Sequence, residues 1–218
     1  MKIVLIFFFF FIIGIGTALY YHLSERQLII HSPISFITGK KTYHPFSIAE
    51  APSQSLKANI SEQIGDVKLE NRVATSPAIL NDIKTITQGE RILTGDQSSV
   101  ILTFTDVLSI RLNAQTELSF NQTLPSNLVF SQPSGIAEYV STGKSPVSVR
   151  THNIAALISE GSVVIDIDQE TGFITFAVSK GTVIVAFNDN DNLSNVVTVK
   201  EKQTYIFSDT SRTGRIEG

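Results

Sequence analysis

Between residues 64 and 207 apolar side chains return at every second position, in short runs separated by turn-forming residues. Val100, Leu102 and Phe104 share one face, with Ile101 and Thr103 on the other. Leu108, Ile110 and Leu112 repeat the pattern, as do Val163, Ile165 and Ile167, then Val183, Val185 and Phe187. Shorter alternations occur at Leu118/Phe120, Leu128/Phe130, 136–140, Val147/Val149, 154–158, Phe173/Ala177, Val197/Val199 and Tyr205/Phe207. A period of two sends alternate side chains to opposite faces of a strand, one face to the core and one to water. The runs recur roughly every 8–12 residues and are rich in Val, Ile, Thr and Phe, the residues that suit a pleated, half-buried surface. Gly89, Gly95-Asp96, Pro125, Pro133-Ser-Gly135, Gly143, Gly161, Gly172, Gly181 and the 189–192 stretch read as the turns between them. Helical periodicity is missing from this region, so the domain is expected to be all-β.

About a dozen short strands exceed what one flat open sheet holds comfortably, so the sheet must fold over, close or coil. Gly135, Gly161 and Gly181 each precede a β-branched run, at spacings of 26 and 20 residues. That irregular period points to a multi-stranded β solenoid or a roll-like sandwich, with glycine turning the chain from one layer to the next.

Residues 3–21 carry no charge and include five consecutive phenylalanines, Phe7 to Phe11. A bilayer core takes roughly 20 apolar residues in a helix, so this run is expected to span a membrane. It is longer than the roughly 7–15 apolar residues of a cleavable signal, and Tyr20-Tyr21 mark an interface, which favours retention over cleavage near Ala18. Lys2 and the α-amino group make the leading flank positive, while Glu25 and Arg26 nearly cancel on the other side. The N-terminus (residues 1–2) is therefore expected in the cytoplasm and the rest outside, at the cell membrane, single-pass. Residues 22–62, with Pro33, Pro45 and the small, polar 49–55 stretch, read as a linker; 63–209 as the β domain; 210–218 as a flexible tail.

The stretch GERILTGDQSSVILTFTDVLSIRLNAQTEL, residues 89–118, resembles the FecR domain: a glycine, a TG turn, a strand, an F-x-D turn, a second strand and a threonine before the next. Val147 to Ala155 is similar to that family's V-x-T-P-x-A strand, Gly161-Ser162-Val163 to its G-T-x-F turn, and Gly181 to Val185 to its closing G-x-V-x-V. The resemblance covers about residues 64–207. Val107 stands where the family has glycine, and His152-Asn153 where it has proline. It implies an extracytoplasmic β domain of the bacterial envelope. Family members that regulate a sigma factor do so through a cytoplasmic region, which the two residues ahead of the apolar run are not expected to supply.

Chemistry is sparse. The chain has no cysteine, which excludes disulfides, thiolate metal sites and Cys nucleophiles. A net charge of −3 without a basic block makes nucleic acid a poor partner. Of the four histidines only His152 lies in the β region, and no metal-ligand spacing occurs. Asp166 and Asp168 project from one face of one strand, about 6–7 Å apart, as a glycosidase pair could, but read as a solvated outer face. Asn188 to Asn192 alternates oxygen ligands like a calcium loop, yet lacks its glycine and closing Glu, and reads as a hairpin turn. Ser109 and Ser162 are expected in turns, without a nucleophile elbow. No catalytic, cofactor-binding or metal-binding residue is therefore assigned, and no enzyme activity is expected. The expected function is a protein-binding, scaffold or sensory module with an envelope protein partner. Signalling through a membrane partner is the alternative, and glycan hydrolysis through Asp166, Asp168 or Glu160 a third.

Overall fold

The computed structural model describes residues 51, 52, 54–81 and 85–218. The apolar run at 3–21 and most of the expected linker lie outside the described residues. Among the described ones, no helix is long and apolar enough to cross a membrane. The described chain is all-β, as the alternation requires. Its strands are β1 (Ala58–Ile64), β2 (Val67–Glu70), β3 (Ala78–Ile79), β4 (Thr85–Ile86), β5 (Arg91–Thr94), β6 (Ser99–Phe104), β7 (Leu108–Leu112) and β8 (Glu117–Leu124). There follow β9 (Asn127–Ser141), β10 (Val147–Thr151), β11 (Ile154–Asp168), β12 (Phe173–Asn188), β13 (Ser194–Lys200), β14 (Thr204–Ser208) and β15 (Thr213–Glu217).

All fifteen belong to one hydrogen-bonded sheet, in the order β15-β14-β12-β11-β10-β9-β7-β6-β1-β4. Off this path, β13 pairs with β12, and β8, β5, β2 and β3 branch in turn from β9. No ladder joins β15 to β4, so the sheet is open. Its ladders are antiparallel except for β9 with β10. Stacked solenoid rungs would pair successive layers in parallel, and that order is not seen.

The sheet's shape comes from three strands of 15, 15 and 16 residues, β9, β11 and β12. Each changes partners part-way along. The first part of β9 pairs with β8 and β10, and the second with β7 and β11. β12 carries β14 along its first half and β13 along its second. Gly135, Gly161 and Gly181, expected as turns between strands, sit inside these long strands, so runs 154–158 and 163–167 are two halves of β11; Gly89, Gly95, Gly143 and Gly172 do lie between strands. Gly161 and Gly181 face each other in the β11–β12 ladder at φ 134° and 81°. A Cβ on Gly161 would lie 2.0 Å from the Lys180 carbonyl oxygen, and one on Gly181 2.2 Å from that of Glu160. Glycine is needed here because the two backbones touch, and the same freedom that makes a turn makes this bend.

The core confirms the alternation. Phe104, Phe120 and Phe130 meet at centroid distances of 5.4–6.2 Å. Phe104 is on β6 and Phe120 on β8, which share no ladder, so the contact crosses the core rather than running along the sheet. A second group joins Phe176, Phe187, Tyr205 and Phe207. Full burial of each such ring contributes about 1.5–3 kcal/mol. The buried Tyr139 hydroxyl donates to Gln132 Oε1 at 2.9 Å, and Gln132 Nε2 donates to the Gly135 and Ile165 carbonyls. Gln132 thus satisfies its polar atoms at 0% exposure and ties the bend of β9 to β11.

At the domain's ends, β1 begins within the stretch expected as linker, and Leu56 N already donates to the Thr123 carbonyl at 2.6 Å. β15 lies in the stretch expected as tail. Neither announces itself: β1 carries Asn59, Ser61, Glu62 and Gln63, and β15 has one large apolar residue, Ile216. The β6–β7 turn tolerates Val107 because the residue with positive φ is Asp106, at 58°.

Candidate functional site

Each candidate residue has a definite place. Ser109 lies in β7 and Ser162 in β11, in ladders and not in the expected turns, because the residues around them belong to continuous strands. Ser162 Oγ reaches Glu138 Oε1 at 3.5 Å. His152 occupies the β10–β11 turn at φ 40°, its Nδ1 3.2 Å from Asp209 Oδ2, and Asn153 Nδ2 donates to Asp209 Oδ1 at 3.0 Å. The Asn188 to Asn192 stretch is the β12–β13 hairpin. Asp189 accepts from the backbone of Asp191 (3.0 Å) and Leu193 (2.9 Å) and from Asn195 Nδ2 (3.0 Å). Those bonds, the one from Leu193 first, hold its carboxyl below the usual carboxylate range. Both its oxygens are committed to the turn.

Asp166 and Asp168 do share the outer face of β11, opposite the buried Ile165 and Ile167. They line an open depression of about 560 Å³ with Gln115 and Glu170. Their environments differ. Partial burial, then the neighbouring charge of Asp168, push the Asp166 carboxyl up. Bonds from Thr171 first, and then from Glu170, pull Asp168 down, because its Oδ1 accepts both backbone N–H groups of the following turn at 3.1 and 2.9 Å. Glu160 is not in this depression; it sits at the β11 bend, beside Gly143. The two aspartates are side by side on one strand, so they do not face each other across a cleft as glycosidase carboxylates must.

A further charged cluster is internally paired. Arg91 on β5 bonds Glu70 on β2 and, at 2.7 Å, Glu117 on β8. Its pKa is raised by the bonds to Glu70 and Glu117. The triad clamps three strands together.

What the fold leaves open is an edge. β13 and β14 run along the same side of β12, and β15 covers β14 alone. The outer side of β13 pairs with nothing among the described residues. β13 is seven residues long, contains no proline, and carries one charge, Lys200 at its end. Val196 on it is 67% exposed. The other strand at this end, β15, carries the Arg215–Glu217 pair on its surface, and β3 and β4 are two residues each. Short or charged edges resist strand addition, whereas a longer, uncharged one invites it. Sequence alone could not single out this strand, because the alternation of β13 resembles that of any other.

No family model matches the sequence, and no curated protein does. Two crystal structures of a putative anti-sigma factor from Parabacteroides distasonis ATCC 8503, at 2.50 and 1.65 Å, are similar to it. Their TM-scores are 0.52 and 0.51, with 18% identity. The likeness is one of fold. It covers 59% of this chain and 59% of theirs, and it fits the FecR-like pattern of residues 64–207.

Proposed function

We propose that this chain is a membrane-anchored envelope protein that displays a FecR-like β domain, a roll-like sandwich, on the extracytoplasmic side. There it acts as a protein-binding module rather than as an enzyme. The observation that carries this is the bare edge of β13: a partner's extended segment added there would gain main-chain hydrogen bonds along seven residues, with Val196 and Thr198 available for side-chain contact. The chemistry elsewhere supports binding over catalysis, since Asp168 and Asp189 are spent on their own turns. Similarity in fold to an anti-sigma factor favours a partner that belongs to signalling across the membrane.

A photo-crosslinking residue at Thr198 of the full chain, in its native membrane, should trap one discrete partner protein. The same residue at Ile216 should not, and Val196→Lys should abolish the adduct. Equal crosslinking from both positions would rule out β13 as the docking edge. Replacing residues 3–21 by an unrelated span separates display from signalling: display survives the swap, and regulation through the helix does not.

A further inference from the structure

Around the hairpin that leads into β13, the outer face of the sheet carries a depression of about 540 Å³ with Arg150, Arg212 and four asparagines in its lining. Its floor is a register row across four strands: Arg150 on β10 lies opposite Ala155 on β11, Ala155 opposite Ala186 on β12, and Ala186 opposite Val196 on β13. The adjacent row, Val149, Ala156, Val185 and Val197, faces the core. The outer row spans three strand spacings, about 14 Å. Three of its four residues are small and apolar, so the floor between the arginine and the edge is flat.

The rim supplies charge and hydrogen bonds. Arg150 has no ion pair among the described residues. Arg212, in the β14–β15 turn, donates only to the Asp189 carbonyl, at 3.5 Å. No carboxylate lines the depression, although the chain as a whole is acidic at −3. Four asparagine amides surround the same space, with polar atoms to spare. Asn153 uses its Nδ2 on Asp209 and Asn195 uses its Nδ2 on Asp189 and Leu193, which leaves both carbonyl oxygens open. Asn188 accepts from Ser194 through Oδ1, which leaves its Nδ2 open. Asn192, at φ 60°, makes no side-chain hydrogen bond among the described residues.

We infer that this depression binds a carboxylate-bearing saccharide. Unpaired guanidinium forks recognise planar carboxylates. Amides that each offer a donor or an acceptor match neighbouring hydroxyls, which are both at once. The alanine and valine floor matches the C–H face of a sugar ring. A carboxylated peptide fits less well, because this surface is a sheet face: its backbone groups are already used in the ladders, and an extended chain crossing it would find no main-chain partners. The site shares Val196 with the β13 edge, but its two arginines lie on other strands and turns, so their substitution separates binding on the face from strand addition at the edge.

The test is titration of the full-length chain in detergent micelles with trigalacturonate, maltotriose, inorganic phosphate and a hexaglutamate peptide. Trigalacturonate should bind at least about tenfold tighter than the other three, and its affinity should fall as salt rises. Arg150→Gln and Arg212→Gln should each weaken it about tenfold, while Arg111→Gln, at a remote paired site, should leave it unchanged. Both arginines are on the surface, and unchanged far-UV circular dichroism confirms that the variants fold. Equal binding of phosphate (an anion site only), tighter binding of hexaglutamate, no binding of trigalacturonate, or indifference to both arginine substitutions would each overturn the assignment.

Discussion

Substituting Gly161 by alanine tests the bend that gives the sheet its shape. Two costs add. A backbone at φ 134° is one that residues with a Cβ rarely adopt, at about 1–3 kcal/mol. The new methyl would also sit 2.0 Å from the Lys180 carbonyl oxygen, a backbone atom in the neighbouring strand that can yield only if β12 moves. Overpacking of that kind costs about 1–3 kcal/mol. The sum, about 4 kcal/mol, is a large part of the roughly 5–15 kcal/mol that stabilises a typical domain. For a domain of this size it lowers Tm by about 8–16 °C. Gly172→Ala is the control, since its φ of 69° is also left-handed but its nearest neighbour, Thr210 Oγ1, would be 3.5 Å away. That change should cost only the backbone term, about 1 kcal/mol. Thermal unfolding of the full-length chain followed by far-UV circular dichroism reads both. If Gly161→Ala melted within about 2 °C of the Gly172→Ala variant, the close approach of β11 and β12 would not be the reason for glycine there.

Two tyrosines separate satisfied from unsatisfied burial. Tyr139→Phe removes the donor to Gln132 Oε1, buried at 0% exposure, and should cost about 1–3 kcal/mol in urea unfolding. Tyr205→Phe removes a buried hydroxyl that has no partner, and should be neutral or slightly stabilising in the same assay. The aspartates of β11 should respond to pH in opposite senses. Asp166 has a raised pKa, so its charge costs stability at neutral pH and the cost is relieved as pH falls through the raised value; Asp166→Asn should stabilise at neutral pH and have less effect in acid. Asp168 has a lowered pKa, so its contribution is present above the ordinary carboxylate value and is lost as pH falls through the lowered one; chemical denaturation across that acid range should show stability declining in wild type and less so in Asp168→Ala.

Much of the fold was legible because a period of two in Val, Ile, Leu and Phe has one physical meaning. The buried rows of β6, β7, β10 and β14 are the alternating residues themselves. The bends were legible as glycines but not as bends, since a positive φ serves a turn and a mid-strand kink alike. Several true turns were silent. Gln115, Lys202 and Arg212 all take positive φ, yet none belongs to the residue types that mark turns. On the surface, the hairpin at Asn188 to Asn192 could be anticipated from local chemistry. The bare edge of β13 and the row from Arg150 to Val196 could not, because both depend on pairings between distant segments.

The proposed function puts the β domain outside the membrane with the edge of β13 free to receive a partner. Because the chain has no cysteine, a single Thr198→Cys substitution gives a clean probe. In cells whose outer barrier is opened and whose inner membrane is intact, a membrane-impermeant maleimide should label it fully, and more slowly where the partner is present than where it is depleted. Labelling only after the inner membrane is lysed would put the domain on the cytoplasmic side and overturn the proposed display.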